Sequence, residues 1–209
     1  MVLLAALGSF SIAAHGAGAN RASEDAKARA LVNYGKLPLS FEENRGQADA
    51  SVKFLSHGSG YSISLAPSQV LLNLPAKAGR QAAIRMSFPG AQLPVLTGGD
   101  RQTGLSSYFI GNDPSRWVSG APNFARVRYH ELYPGVDLSF YGNQGQLEYD
   151  FVVAPGAQPQ AIRLQFDGVD GMRLDSAGNL ILSSEHGEIR QHKPVMYQES
   201  AGRRQIVDG

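Results

Sequence analysis

Glu148 and Asp150 stand two positions apart in QLEYDFVV, a segment that alternates apolar and polar residues, so both carboxylates project from one face of a strand. Asp137 lies on the preceding segment, across a turn at Gly142-Asn143-Gln144-Gly145. Carboxyl groups about 5–10 Å apart are what a glycosidase uses as acid and base. The same spacing also suits a ladder of opposite charges, because Arg126 and Arg128 repeat it on a neighbouring segment and cross-strand pairs of opposite sign attract. Nothing in the sequence marks a cleft beside the carboxylates. The expected arrangement is therefore a structural ladder of Arg126, Arg128, Asp137, Glu148 and Asp150.

A second constellation is aromatic. Trp117, the single tryptophan, together with Tyr108, Tyr129, Tyr133 and Tyr141 could form a platform on which sugars stack. Aromatics at such spacing also fill the core of a β-sandwich, and both readings stand at this point. The five histidines, His15, His57, His130, His186 and His192, include no i,i+4 pair and no HExxH, so no metal site is expected. The runs DGVDG from Asp167 and DSAGN from Asp175 lack the alternating donors and terminal acid of a calcium loop and read as tight turns. There is no GxSxG nucleophile motif and no glycine loop opening a helix to cradle phosphate. The residues thus carry no catalytic signature, and neither an enzyme nor a cofactor is expected.

The composition narrows the class. In 209 residues there are 24 glycines and 11 prolines, which favours many turns and short strands over long helices. A net charge of +1 offers no broad electrostatic footprint for nucleic acid. The absence of cysteine rules out disulfides and thiolate metal sites. Residues 1–19 hold no Lys, Arg, Asp or Glu, and the apolar run from Val2 to Ala14 falls short of the roughly 20 residues needed to span a bilayer. Ala17-Gly18-Ala19 places small residues where a signal peptidase reads, so 1–19 is read as a signal-like segment cleaved before Asn20. No basic residue precedes the apolar run, so the signal is atypical or the natural start lies upstream. An exported chain without disulfides fits bacterial secretion or the cell surface, with no membrane span in the mature protein.

Elements that could position these residues follow in order. Residues 20–36 read as a polar linker or a short helix capped by Ser23. Leu37, Leu39 and Phe41 alternate as a strand, and Asn44-Arg45-Gly46 turns the chain. Strands are expected near 52–55, 61–65, 69–74 and 83–88. Residues 91–105, rich in glycine and without periodicity, read as a loop, as do Gly120 to Pro122. Phe124 to Tyr129, Val136 to Tyr141 and Leu147 to Val153 alternate strongly, the last two as a hairpin. Further strands are expected at 162–166, 172–174, 180–182, 189–191, 194–198 and 203–207. The chain then stops within a strand, as a truncated domain would. No internal repeat is visible.

Three motifs add a resemblance: FEENRGQ (Phe41 to Gln47), YFIGNDPSRW (Tyr108 to Trp117) and VRYHELYPGVDLSFYGNQGQLEYDFVVAPGA (Val127 to Ala157), joined by EIRQHKPVMYQE (Glu188 to Glu199). Together they resemble an uncharacterised bacterial all-β domain that stands at the N-terminus of exported proteins carrying SBBP-type β-propeller repeats. The resemblance covers about Leu37 to Gly209 and implies an extracellular context, with propeller repeats following in longer relatives. It implies no activity for any residue.

The expectation is an all-β antiparallel sandwich of about a dozen short strands at 37–209, after the signal-like segment and the linker. Its expected role is a non-enzymatic extracellular structural or interaction module in adhesion or assembly, whose partner is a protein or glycan at the cell surface. A carbohydrate-binding module using Trp117 and the tyrosines, and a glycan hydrolase using Glu148 and Asp150, are the alternatives.

Overall fold

A computed structural model of the chain describes residues 5–6, 8–12, 39–58, 60–77, 80–143, 146–185, 187–200 and 203–207. The expected helix at 20–36, the cleavage point and the hairpin tip at 144–145 lie outside the described residues. The elements are β1 (Ala5–Ala6), β2 (Gly8–Ile12), β3 (Phe41–Glu43), β4 (Phe54–Gly58), β5 (Tyr61–Ala66), β6 (Gln69–Lys77), β7 (Arg80–Ser87), β8 (Val95–Tyr108) and β9 (Val118–Tyr133). They continue with β10 (Val136–Asn143), β11 (Gln146–Val153), β12 (Gln165–Asp167), β13 (Gly171–Leu174), β14 (Leu180–Ser184), β15 (Gly187–Gln191), β16 (Met196–Ser200) and β17 (Arg203–Ile206). Two single 3₁₀ turns, Pro114–Arg116 and Pro159–Ala161, are the only helical pieces among the described residues.

One antiparallel sheet runs β12-β7-β6-β5-β4-β3-β9-β10-β11-β2-β15-β14-β13, with β8 added to β9; β1, β16 and β17 form a small second sheet. The sheet doubles back on itself because both ends carry apolar residues on their inner faces. Ile63, Leu65, Val70 and Met86 of β5–β7 share a core with Val127, Tyr129, Phe140 and Tyr149 of β9–β11. Leu74 and Ile84 meet Leu182 and Ile189 of β14 and β15. Tyr129 spans the two layers: its ring packs edge-on against Phe88 and Phe140, and its hydroxyl donates to the Ala66 carbonyl at 3.2 Å. Burial of each such side chain contributes about 1.5–3 kcal/mol.

The β10–β11 hairpin holds the register that alternation predicts. Leu138 faces Phe151, Phe140 faces Tyr149 and Gly142 faces Leu147. At the other end of β10 a bulge interrupts alternation. Glu131 takes φ +52, its N–H donates to Asp137 Oδ1 at 2.8 Å, and its own carboxylate accepts from Gly135 N–H at 3.1 Å. The two extra residues on β9 let Leu132 and Tyr133 both turn inward.

Three expectations are corrected. Residues 91–105 are not a loop throughout, and Gly120 to Pro122 are not one at all: β8 and β9 form a hairpin with strands of 14 and 16 residues. β8 shows little periodicity because none of its residues is fully buried, although Leu96 packs against the main core. The strand expected at 162–166 is shorter, starting at Gln165 after the 3₁₀ turn.

Candidate functional site

The polar outer face of β8–β11 carries most of the residues singled out by type and spacing. Register sets their rows. Thr97, Arg128, Ser139 and Asp150 lie side by side on four strands, and Gly99, Arg126, Tyr141 and Glu148 form the next row. The arginines and carboxylates thus sit two strands apart, with Ser139 and Tyr141 between them. These rows share one polar face, and Tyr141 links Arg126 to Asp150. The Arg126 guanidinium lies 5.0 Å from the centre of the Tyr141 ring, and the Tyr141 hydroxyl donates to Asp150 Oδ1 at 3.0 Å. Burial, then the Asp150 and Glu148 carboxylates, push that hydroxyl far above the ordinary tyrosine range.

The carboxylates have structural occupations. Glu148 accepts from Asn143 Nδ2 at 3.0 Å across the hairpin, Asp150 holds Tyr141, and Asp137 secures the β9 bulge. His130 touches both Thr97 Oγ1 (2.8 Å from Nε2) and Asp137 (4.0 Å from Nδ1). The first is a hydrogen bond; the second is too long for one, so the three groups do not make a nucleophile–base–orienter relay. Among the described residues no cluster of His, Cys, Asp or Glu could hold a metal ion.

The five platform aromatics are dispersed. Tyr129 and Tyr133 are core residues, at 0% and 2% exposure. The Tyr133 hydroxyl donates to the Arg163 carbonyl at 2.9 Å and accepts from Arg163 N–H at 3.2 Å, fastening the 159–164 stretch. Tyr141 belongs to the polar face, and Tyr108 donates its hydroxyl to Glu42 on β3. Only Trp117 stands out, at the tip of the β8–β9 hairpin beside Phe109 and Ile110. Its indole N–H donates to the Gly111 carbonyl at 3.2 Å, and its ring meets Phe109 edge-on at 5.4 Å and 81°. The two rings therefore present no common flat surface for stacking. Asp113 shapes this tip by accepting from Ser115 N–H (3.0 Å) and Ser115 Oγ (2.7 Å). Those bonds hold its carboxyl below the usual range.

Two hollows bracket the sheet. Inside, a cavity of about 30 Å³ is walled by Tyr61, Val70, Leu147, Phe166 and Ile189 among others, all apolar contacts with room for little more than one water. Burial there pushes the Tyr61 hydroxyl up to about 12. Outside, a half-open depression of about 360 Å³ lies over β8 and β9, lined by Thr97, Gly99, Asp100, Arg126, Arg128 and His130. The sequence marked its arginines but not the hollow, because Gly98 and Gly99 opposite them sat in a segment read as loop.

Residues 41–209 match a family model described as a domain of unknown function, DUF7948. The chain belongs to that family. No curated protein and no solved structure matches it. The FEENRGQ motif, at the start of the DUF7948 match, has a structural explanation that type and spacing did not reveal. Asn44 Oδ1 accepts from the N–H groups of Gly46 (3.0 Å) and Ala48 (3.2 Å), while Nδ2 donates to the carbonyls of Asp49 and Val52, each at 2.8 Å. Gln47 closes the turn through Glu43 O at 2.9 Å, and Gly46 supplies φ +113. Among the described residues no helix of this DUF7948 chain is long and apolar enough to cross a membrane.

Proposed function

We propose that this chain is a non-enzymatic interaction module displayed outside a bacterial cell, standing in front of β-propeller repeats in longer relatives. The observation that carries the reading is the β8–β9 hairpin. It is the longest pair among the described residues, no residue of β8 is fully buried, and its tip presents Phe109, Ile110 and Trp117 at 64%, 74% and 41% exposure. Clustered exposed apolar side chains on a turn rimmed by polar residues are the usual mark of a contact surface. The signal-like residues 1–19 and the resemblance to exported repeat proteins support the location.

Catalysis on glycans is disfavoured by Glu148 and Asp150 holding the hairpin together, and sugar stacking by the edge-on Phe109–Trp117 pair. The test uses a glycan array, a reducing-sugar assay and immobilised cell-envelope fractions with the wild type and a Phe109→Ser/Trp117→Ser variant. Retention on envelope fractions that the folded double variant loses, without sugar release, is expected. Trp117-dependent retention on neutral glycans would move the assignment to a carbohydrate-binding module, and sugar release to a hydrolase.

A further inference from the structure

We infer that the depression over β8 and β9 is a binding site for an oxyanionic group, the carboxylate or sulfate ester of an acidic polysaccharide. Arg126, Arg128 and His130 occupy alternate positions of one strand, so all three reach the same side of the sheet. Across from them β8 offers Thr97, Gly98 and Gly99. Gly99 faces Arg126 and lines the hollow, and its missing side chain leaves the space beside the Arg126 guanidinium open. The concentration of positive charge is local, since the whole chain carries a net +1.

The donors are set in advance. Arg126 is held from one side by the Tyr141 ring at 5.0 Å, itself anchored on Asp150. Its Nε lies 3.7 Å from Asp100. That carboxylate is 74% exposed, on a residue with φ +55 at the rim, so the pair is weak in water and a ligand can displace it. Arg128 has uncharged register partners, Thr97 and Ser139, and among the described residues no ion-pair partner. Two planar guanidinium groups suit a carboxylate or sulfate better than a point charge does, because each offers paired N–H donors. His130, fixed on Thr97 at 2.8 Å, closes one end. About 360 Å³ exceeds what a bare oxyanion fills and is open enough for one residue of a chain laid across it. The polysaccharide as carrier rests on the extracellular role proposed above; the oxyanion chemistry does not.

The test is calorimetric titration of the full chain at low and moderate salt with oligogalacturonate, sulfated dextran, neutral dextran, inorganic sulfate and inorganic phosphate. The variants are Arg126→Gln/Arg128→Gln, Asp100→Asn, and Arg45→Gln/Arg173→Gln, the last making the same charge change elsewhere on the surface. Expected are salt-sensitive binding of the two acidic polymers, none of neutral dextran, and a loss of roughly tenfold or more in Arg126→Gln/Arg128→Gln. Asp100→Asn should bind more tightly, and Arg45→Gln/Arg173→Gln should bind as the wild type does. Equal losses in the two arginine pairs, or no binding of any anion, would overturn the site. Inorganic sulfate or phosphate binding as well as the polymers would retain the oxyanion site and overturn the polysaccharide.

Discussion

The ring of Phe124 lies against Gly98 across the β8–β9 pair, in the space where any other residue would place its Cβ. The aromatic thereby covers backbone that glycine leaves bare, and the two residues fix how closely β8 approaches β9. Gly98→Ala should force Phe124 aside and destabilise by about 1–3 kcal/mol, as overpacking does. Urea denaturation checks it, and Gly98→Ala/Phe124→Ala should recover part of the loss that the two single changes would sum to. An unchanged midpoint for Gly98→Ala would mean the hairpin is not packed this way.

Core and tip should separate cleanly. Tyr149 is 2% exposed, stacks among Phe140 and Phe151, and receives a hydrogen bond from Gln191 Nε2. Tyr149→Ala should therefore cost about 3–5 kcal/mol. Trp117→Ala, on the exposed tip, should stay within about 1 kcal/mol of the wild type. Thermal unfolding of both variants distinguishes them, and similar losses would argue against the layered core.

Alternation made the inner strands legible. Leu138, Phe140, Leu147, Tyr149 and Phe151 appear in the sequence at every second position and in the structure on one buried face. β8 was illegible for the same physical reason: a strand with no fully buried residue needs no strict period, and its glycines imitate a loop. The bulge at Glu131 was hidden because two extra residues between Tyr129 and Tyr133 change the pairing without changing composition. Of the site residues, the presence of arginines and carboxylates at two-residue spacing could be read from the sequence, whereas insertion of Ser139 and Tyr141 between them depends on strand order. Tyr129 and Tyr133 show why aromatic content alone cannot separate a platform from a core.

Ser139 offers a test of a buried polar group. It is 1% exposed between Arg128 and Asp150, and its hydroxyl has no hydrogen-bond partner among the described residues. An unsatisfied buried hydroxyl costs stability, so Ser139→Ala should be neutral or raise the melting temperature. A loss of about 1 kcal/mol or more would show that the hydroxyl is bonded in solution.

Acid should weaken the fold through its turn carboxylates. Asp175 accepts from the Ala177 and Asn179 N–H groups and from Asn179 Nδ2, each at 2.9 Å. Its pKa is lowered, chiefly by the side-chain and backbone bonds from Asn179, as those of Asp49 and Asp113 are by Ser51 and Ser115. A folded-state pKa below the unfolded one means that the unfolded chain binds the proton more readily. The contribution is complete above the ordinary carboxylate value near 3.8 and fades as pH falls through the depressed folded value. Melting temperature should accordingly drop below about pH 4, and Asp175→Ala should flatten that slope. An acid limb equally steep in the variant would remove Asp175 from the account.

The strand Gly8–Ile12 bears on the stability of the sheet. Gly8–Ile12 pairs with Leu147–Tyr149 of β11 on one side and with Ile189–Gln191 of β15 on the other, and in the sheet order it alone joins β13–β15 to the rest. Cleavage before Asn20 would remove it and leave two facing edges with unpaired backbone groups, a state prone to capture another strand. A chain lacking residues 1–19 should therefore unfold at lower urea than the full chain and associate as its concentration rises. A synthetic peptide spanning residues 5–14, added in trans, should reverse both effects if the vacated edges accept an extended segment. A shortened chain that is monomeric and as stable as the full one would show that β11 and β15 do not depend on Gly8–Ile12 for pairing.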